Sequence, residues 1–294
     1  MKRITLFIIG IIFLGGTLRA QNPKELHVLI IGAHPDDAEK SCGTAALYVA
    51  AGCKVKLVSV TNGDAGHQTM GSGELARRRQ EEAWKSGQIL GIEYQVLNNH
   101  DGELLPTLEN RRKIISLIRE FHSDIVITHR LNDYHPDHRN TGQLVLDAAY
   151  MVTVPNVSPE TPILKKNPVF LFMSDNFTKP TLFAPDVVVG IDETIEKKID
   201  MYDCHVSQVY EWLPWNSGRI DEVPVGKAER REWLAVGKRR EGERLANKYR
   251  SKLIELYGNE KGSKIKYAEA FEDSEYGTRL TKENIPVLFP FFGK

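Results

Sequence analysis

Two short segments of the chain combine imidazole and carboxylate side chains. The first, residues 33–39, reads AHPDDAE, and the second, residues 132–138, reads NDYHPDH. Histidine with aspartate or glutamate is a typical ligand set of an open zinc site, in which two or three protein groups leave a position for water. The same residue types also transfer protons in hydrolytic reactions. Together, the two segments predict metal-assisted hydrolysis if the fold brings them to one place.

Each segment, when considered alone, also has a purely structural interpretation. Asp36 or Asp37 at the start of a helix is also the residue type that caps a helix N-terminus. Both segments, however, follow predicted buried strands, and sites in open α/β sheets form beyond the carboxyl ends of the strands. Two such clusters at one sheet edge favour a functional site. The residues alone leave open which of Asp36 and Asp37, and which of His135 and His138, would bind a metal.

Strands and helices alternate through the first half of the chain. Short apolar or alternating runs predict strands at residues 27–33, 54–61, 93–97 and 124–128. Amphipathic runs with helix-ending glycines or loops predict helices at 37–51, 74–90, 108–121 and 139–151. This alternation predicts an α/β fold with a Rossmann-like, doubly wound, mostly parallel sheet in three α/β/α layers.

The second half of the chain predicts further elements without a new domain. Residues 152–168 contain four prolines and predict a loop, residues 169–173 and 186–191 predict strands, and residues 193–204 predict a helix. A long, highly charged stretch at 227–257 predicts helix. No repeat or clear linker divides the chain, so residues 21–294 are expected to form one domain with an elaborated C-terminal part.

The first twenty residues have the pattern of a secretory signal peptide. Lys2 and Arg3 precede an apolar run from Ile4 to Leu14, and small and polar residues lead to Ala20. The apolar run is too short to span a bilayer comfortably, although an uncleaved anchor is the alternative. We therefore expect residues 1–20 to be removed, the protein to be periplasmic or extracellular, and no stable membrane insertion to remain.

Composition excludes several classes of protein. The 294 residues are 41% hydrophobic and 27% charged, which is typical of globular proteins and excludes collagen-like and wholly disordered chains. Lys+Arg and Asp+Glu both number 39, so a nucleic-acid partner bound by phosphate neutralisation is not expected. Three cysteines without CxxC spacing exclude a disulfide scaffold and predict buried, inert thiols. Oligomeric state stays open, with a homo-oligomer among the options.

The chain also resembles the PIG-L/LmbE-type zinc N-deacetylases. The resemblance rests on AHPDDAE after the first strand and HPDH after the fourth, which match the family's paired motifs. It extends roughly from residue 28 to 208 and does not cover the chain beyond about residue 218. Three further elements match: RQEE at 79–82, Asp101-Gly102 after the third strand, and HVSQ at 205–208. The resemblance implies a Rossmann-like fold, one Zn²⁺ per chain and removal of an N-acyl group, most often from a 2-acetamido sugar.

The same resemblance implies a role for each motif residue. Asp36 would be the general base that takes a proton from the attacking water. His135, held and charged by Asp137, would stabilise the oxyanion or protonate the leaving amine. The metal ligands would be His34, Asp37 and His138.

Three more residues would bind the substrate by this resemblance. Arg79 and Asp101 would lie at the rim and bond to sugar hydroxyls, and His205 would face the pocket. Their alternatives are a helix salt bridge from Arg79 to Glu82, a turn role for Asp101, and a capping or core role for His205. The remaining histidines that lack partners at ligand spacing are expected on the surface or in loops: His67, His100, His122 and His129.

These features predict an exported zinc-dependent hydrolase that removes the N-acetyl group from an amino sugar or glycoconjugate. One alternative is an amidase on another N-acyl compound. Another is an inactive sugar- or metal-binding module, which would require a missing base or ligand, whereas all six motif positions are filled. A nucleotide-binding Rossmann protein is disfavoured because the first strand-to-helix turn lacks G-x-G-x-x-G.

Overall fold

The strands of the protein form one sheet. The computed structural model describes residues 25–292, so the predicted signal peptide lies outside the described residues. Within this range there are seven strands: β1 (His27–Gly32), β2 (Lys54–Thr61), β3 (Glu93–Asn99), β4 (Ile125–Thr128), β5 (Val169–Met173), β6 (Val187–Gly190) and β7 (Ala268–Gly277).

Helices follow most of the strands. The described residues contain nine α-helices: α1 (Cys42–Ala50), α2 (Ser72–Leu90), α3 (Leu108–Glu120), α4 (Pro136–Met151), α5 (Ile195–Asp203), α6 (Leu213–Asn216), α7 (Lys227–Lys248), α8 (Arg250–Gly262) and α9 (Ile285–Leu288). A 3₁₀ turn at Ala38–Ser41 precedes α1, and a π-helical turn at Ser207–Trp212 precedes α6. Among residues 25–292, no helix combines the length and apolarity needed to cross a bilayer.

The strand order is β3-β2-β1-β4-β5-β7-β6. Strands β1 to β5 pair in parallel, and β7 is antiparallel to both β5 and β6. The predicted α/β fold with a mostly parallel sheet is confirmed. The order reverses between β1 and β4, and this reversal is the position where open α/β sheets place their ligands.

Alternation along β1 separates two cores on the two faces of the sheet. Leu29 and Ile31 pack with the buried faces of α3 and α4, whereas Val28 and Ile30 pack with α1, α5 and the C-terminal segment. All four side chains are fully buried, as expected for a central parallel strand covered by helices on both faces. This rigid centre fixes the ends of β1 and β4, which carry the two motif segments.

One helix start, one long helix and one strand differ from the sequence analysis. Helix α4 begins at Pro136 rather than at residue 139, because proline is well suited to the first helical position. The charged stretch at 227–257 is two helices, α7 and α8, which separate at Tyr249, where φ is −112° and ψ is 29°. Strand β7 was not predicted at all.

The expected burial of the thiols is confirmed for Cys42, whereas Cys53 and Cys204 are half-buried. No disulfide joins Cys42, Cys53 and Cys204. Cys42 is buried in α1, and burial raises the pKa of its thiol well above the usual value. A thiol held protonated in this way is a poor nucleophile and a poor metal ligand.

Candidate metal centre and active site

The turn after β1 brings His34 and Asp37 together. The backbone N–H groups of Asp36 and Asp37 donate to the His34 carbonyl at 2.9 and 3.2 Å. The Asp37 Oδ2 atom in turn accepts from the His34 backbone N–H at 2.7 Å. A Cβ on Gly32 would lie 2.6 Å from the Asp37 Cβ, so the fold-back requires glycine at this position. As a result, His34 Nδ1 lies 3.2 Å from Asp37 Oδ2.

The second segment is held by the N-terminus of α4. His135 is the N-cap residue, and its Nδ1 atom accepts from the Asp137 backbone N–H at 3.2 Å. His138 lies in the first turn of the helix and is 5% exposed. Because β1 and β4 are adjacent parallel strands, this turn faces the turn after β1.

Two imidazole nitrogens and the two oxygens of one carboxylate, all from the two segments, lie at distances suited to a zinc site. His34 Nδ1 lies 3.2 Å from His138 Nε2, and His138 Nε2 lies 3.4 Å from Asp37 Oδ1. With the His34–Asp37 distance of 3.2 Å, the three groups are nearly equidistant. Ligands about 2.0 Å from a tetrahedral zinc ion are about 3.3 Å apart, so this set fits one face of such a site.

Other side chains around this point also offer ligand atoms. In the described part of the chain, ligand atoms lie within 4.8 Å of one another in three overlapping groups: His34–His135–His138, His34–Asp101–His135–Asp137 and Asp37–His129–His138. None of these groups is the predicted set as a whole. We nevertheless favour the predicted set of His34, Asp37 and His138, because these side chains lie 3.2 to 3.4 Å from one another. In addition, the second ring nitrogen of each histidine lies close to a carboxylate.

Each of the two predicted imidazole ligands has a carboxylate behind it. The Nε2 atom of His34 lies 3.1 Å from Asp101 Oδ1 and 3.3 Å from Asp137 Oδ2. The Nδ1 atom of His138 lies 3.0 Å from Asp133 Oδ1. Metal-binding histidines characteristically donate their second ring N–H to such a group, which fixes the tautomer and the ring orientation. The residues present therefore fit a zinc ion.

Asp36 lies beside these ligands and is held by a buried arginine. Its Oδ1 accepts from Arg79 Nη2 at 2.9 Å, and Arg79 also donates to the Gly63 carbonyl at 3.1 Å. Burial raises the pKa of Asp36, and the Arg79 charge opposes that rise. Asp36 has a φ of 156°, a backbone conformation that is uncommon outside glycine and concentrated at functional sites.

The predicted rim position of Arg79 is wrong. Its side chain is 2% exposed, lies beneath the cluster, and does not form the alternative salt bridge with Glu82. Glu82 instead accepts from the backbone N–H and hydroxyl of Ser207. Arg79 therefore orients Asp36, and by its bond to the Gly63 carbonyl it also holds the loop after β2.

Asp101 is also part of the cluster. Its carboxylate lies between Arg79, at 3.5 Å, and the His34 ring. Although burial opposes ionisation, these partners lower the pKa of Asp101 to about 2. The expected contact of Asp101 with substrate stays a prediction.

The predicted partnership of Asp137 with His135 is wrong in its geometry. The Asp137 carboxylate accepts from the backbone N–H groups of Gly102 and Leu104 and lies 3.3 Å from His34 Nε2, and it forms no hydrogen bond with the His135 ring. The hydrogen bond between the two residues comes from the backbone N–H of Asp137, which donates to His135 Nδ1. Burial and the neighbouring His34 and His138 lower the pKa of His135, opposite to the expected charged form. Because its Nδ1 atom accepts the Asp137 N–H, the ring proton of His135 is on Nε2.

His205 lies away from the cluster. It is fully buried, and its Nε2 atom lies 2.6 Å from Glu39 Oε1, which also accepts from the Ser86 hydroxyl. This position favours the core role over a role in binding substrate.

Sequence reasoning missed His129 and Asp133. His129 was expected in a loop or at the surface but is 2% exposed, stacked on His138 with ring centroids 4.2 Å apart. Its Nε2 accepts from the Ala33 backbone N–H, and burial lowers its pKa to about 4. The signal for both residues was their position directly after β4, in the segment that carries the second motif.

Comparisons with known proteins cover the part of the chain that contains both motif segments. The profile of the PIG-L family, described as GlcNAc-PI de-N-acetylase, matches residues 29–149. The diacetylchitobiose deacetylase of Thermococcus kodakarensis is 30% identical over 197 residues, which are 64% of this chain and 73% of that protein. A probable N-acetyl-alpha-D-glucosaminyl L-malate deacetylase of Bacillus anthracis is 30% identical over 63% of this chain and 82% of that protein.

Solved structures show the same fold. The N,N'-diacetylchitobiose deacetylase of Pyrococcus horikoshii has a TM-score of 0.62 at 24% identity, over 86% of this chain and 85% of that one. The 4-carboxy-2-hydroxymuconate hydratase of Pseudomonas putida has a TM-score of 0.69 at 19% identity, over 87% of this chain and 98% of that one. Since this fold serves both a deacetylase and a hydratase, the fold alone does not assign the reaction. The sequence relationship does assign the family: the chain belongs to the PIG-L family.

Proposed function

We propose that the protein is an exported, zinc-dependent N-deacetylase that acts on an N-acetylated amino sugar or glycoconjugate. The observation that carries the proposal is the convergence of His34 Nδ1, Asp37 and His138 Nε2 at 3.2 to 3.4 Å, with the Asp36 carboxylate beside them. The relatives named as deacetylases of acetylated glucosamine compounds support this substrate class.

His34, Asp37 and His138 would hold the zinc ion. When bound, zinc supplies Lewis acidity that polarises the amide carbonyl and lowers the pKa of water. Asp101 and Asp137 behind His34, and Asp133 behind His138, keep the two rings in position for this ligation.

Asp36 accepts the proton of the attacking water in this proposal. Its Oδ1 is already engaged by Arg79, so the orientation of the carboxylate is fixed before substrate arrives. Burial raises the pKa of Asp36, which makes its carboxylate a better proton acceptor than an exposed aspartate. The Arg79 charge opposes that rise.

His135 supplies a hydrogen bond to the amide oxygen. Since its Nδ1 atom accepts the Asp137 N–H, the ring proton lies on Nε2 and is available for donation. A neutral imidazole at this position stabilises the negative charge that develops on the oxygen during attack. The charged form that we expected from the sequence is not needed for this role.

Acetate release tests the proposal. N-acetylglucosamine, N,N'-diacetylchitobiose, an N-acetylated glycopeptide and an N-acetyl amino acid are each incubated with the protein, before and after chelation and after zinc is returned. We expect acetate from at least one amino sugar, loss of release after chelation and recovery with zinc. Release from the N-acetyl amino acid alone would favour the general amidase. No release from any compound by the zinc-loaded protein would contradict the proposed activity.

A His138→Ala variant tests the ligand set separately. Elemental analysis should show reduced zinc content per chain, because one of three ligands is lost. Full zinc occupancy in this variant would show that the assigned ligand set is wrong.

A further inference from the structure

The loop between β2 and α2 is organised by the ring of His67. This loop, residues 62–71, leaves the carboxyl end of β2, at the sheet edge where the metal cluster also lies. A loop or surface position was expected for His67, and the residue does lie in a loop, but its side chain is only 4% exposed. Its Nδ1 atom accepts from the backbone N–H groups of Thr69 and Met70 at 3.2 and 3.1 Å. Because Nδ1 is an acceptor, the ring proton lies on Nε2 and is available to a second partner.

Glu211 is that second partner, and it connects the loop to the second half of the chain. Its Oε2 atom accepts from His67 Nε2 at 2.8 Å. Its two oxygens also accept from Arg78 of α2 at 2.6 and 2.7 Å, as a bidentate pair. Although burial opposes ionisation, Arg78 and His67 lower the pKa of Glu211. The three side chains therefore form one hydrogen-bonded group, which we call the clamp: His67, Arg78 and Glu211.

A second contact joins the loop to the segment that contains Glu211. This segment is the π-helical turn Ser207–Trp212, and such turns are rare and frequently found at functional sites. Gln208 of this turn is 2% exposed, and its Nε2 atom donates to the Gly66 carbonyl at 3.0 Å. The turn thus holds the loop at two successive residues, Gly66 and His67.

The inner side of the loop lies against Arg79, which holds Asp36. A Cβ on Gly63 would lie 2.5 to 2.6 Å from three atoms of the guanidinium, so the loop backbone is in direct contact with this group. Gly63 has a φ of 69°, which glycine adopts without strain, and its carbonyl accepts from Arg79 at 3.1 Å. Because Arg79 also donates to Asp36 at 2.9 Å, a displaced loop would displace the partner of the proposed general base.

The same loop also holds Asp101. The Asp64 carboxylate accepts from the Asp101 backbone N–H at 3.0 Å. A Cβ on Gly66 would lie 3.2 Å from Asp101 Oδ2, so the loop backbone lies close to this carboxylate. Asp101 in turn lies 3.1 Å from the Nε2 atom of His34, a proposed metal ligand. The loop therefore contacts the side chains that orient both the general base and one ligand.

We propose that the clamp of His67, Arg78 and Glu211 positions the general base Asp36 by fixing the loop after β2 against Arg79 and Asp101. The three side chains act through the loop and are positioning residues, not catalytic ones. This inference rests on the proposed function, because it takes Asp36 as the base. It also gives Glu211, which lies beyond the family match at residues 29–149, a part in the reaction.

Hydrogen exchange resolved by residue tests the clamp without measuring activity. The groups to follow are the backbone N–H of Asp101 and the guanidinium of Arg79, because neither bonds to Glu211 directly. In Glu211→Gln we expect both to exchange at least about tenfold faster, since the loss of a charge-assisted hydrogen bond lets the loop open more often. Amides of β1 and β4 should keep their wild-type rates.

The matched control for exchange is Glu222→Gln, whose carboxylate is 57% exposed and lies 3.9 Å from Arg219. It should leave the exchange of Asp101 and Arg79 unchanged. Wild-type exchange of these two residues in Glu211→Gln, or an equal acceleration throughout the protein, would overturn the clamp.

Kinetics of the zinc-loaded protein test the effect on the base. On an amino sugar that wild type deacetylates, kcat should fall about tenfold in Glu211→Gln and in His67→Phe, because a misplaced base is less effective. The value of KM should change less than about twofold, and zinc content should stay at the wild-type level. The double variant should lose no more than the weaker single variant, since both changes remove the same contact. Losses that multiply, or a rise in KM alone, would overturn the positioning role.

The two measurements separate failure of the clamp from failure of the proposed function. Absence of acetate release from every compound by wild type would overturn the deacetylase and the role of Asp36 as its base. Faster exchange of Asp101 and Arg79 in Glu211→Gln would still support the clamp in that case. Normal activity in Glu211→Gln together with wild-type exchange would overturn the clamp and leave the deacetylase intact.

Discussion

Asp36 and Asp37 are neighbours in the chain but have different partners. Asp37 lies among the imidazoles of His34, His138 and His129. Asp36 points to the other side and bonds to Arg79. Adjacent carboxylates with separate partners can serve as metal ligand and proton acceptor without competing for one position.

Replacing each of these aspartates by asparagine should separate the two roles. Asp36→Asn should retain zinc while turnover falls by about two to four powers of ten, because the general base is lost. Asp37→Asn should bind zinc more weakly, and excess zinc should restore part of its activity. Zinc content and kcat measured on both variants check this. Metal loss in Asp36→Asn with normal zinc in Asp37→Asn would mean that the roles are reversed.

Asp133→Asn should weaken zinc binding about 10- to 100-fold without removing a ligand, the usual effect of losing a carboxylate behind a metal-binding histidine. Competition with a chromophoric chelator measures the affinity. Asp147→Asn on α4, where the carboxylate pairs with Arg111 at 2.9 Å, is the control. Equal zinc affinity in wild type and Asp133→Asn would show that His138 does not depend on Asp133.

Sequence patterns identified the motif residues but did not predict all of their contacts. The two segments were placed together correctly because the sheet-edge rule needs only the order of strands and helices. The position of Arg79, the partner of Asp137 and the burial of His129 depend on side-chain directions across several elements. No local pattern encodes those directions, so the structure was needed for them.

At the level of elements, β1 to β5 were predictable and β7 was not. Strand β7 has the sequence AEAFEDSEYG, and its four acidic residues interrupt the apolar pattern by which strands are predicted. Glu269 is compensated by distant groups, because it accepts from the N–H groups of Gly43 and Thr44 and from Lys198. Asp273 accepts from Arg279, which is only six residues away. Burial of a charged strand in this way can be recognised only when the partners are known.

The loop at 152–168 depends on one side chain of α3. The guanidinium of Arg119 is fully buried and donates to backbone carbonyls of this loop and of the end of α4. Its acceptors are the carbonyls of Met151, Val152, Val154, Val157, Ser158 and Thr161. The planar fork of arginine serves carbonyls on both sides, which the single ammonium of lysine cannot do.

Replacing Arg119 by methionine should therefore destabilise the protein. The free energy of unfolding should fall by about 3 kcal/mol, because several buried carbonyls lose their donor at once. Urea denaturation measures the loss. Arg112→Met, at an exposed position of the same helix, should stay within about 0.5 kcal/mol of wild type. Similar unfolding curves for the two variants would contradict this role of Arg119.

For the whole molecule, the proposal of export rests on the amino-acid sequence of the first twenty residues. The charged start and short apolar run of residues 1–20 predict cleavage near Gln21. Protein recovered from a secreting cell should have an intact mass that begins near Gln21. A mature protein that keeps residues 1–20 would refute the signal peptide.

The antiparallel placement of β7 has a consequence for the timing of folding. The proposed metal ligands all lie between residues 34 and 138 and follow strands β1 and β4, which can pair as soon as they are synthesised. The native sheet, however, needs Ala268–Gly277 between β5 and β6, and the Glu269 carboxylate from the same strand binds the start of α1. Contacts so distant in sequence form late and slow the folding of the chain. Nearly the whole polypeptide must therefore leave the ribosome before the sheet beneath the proposed metal site is complete.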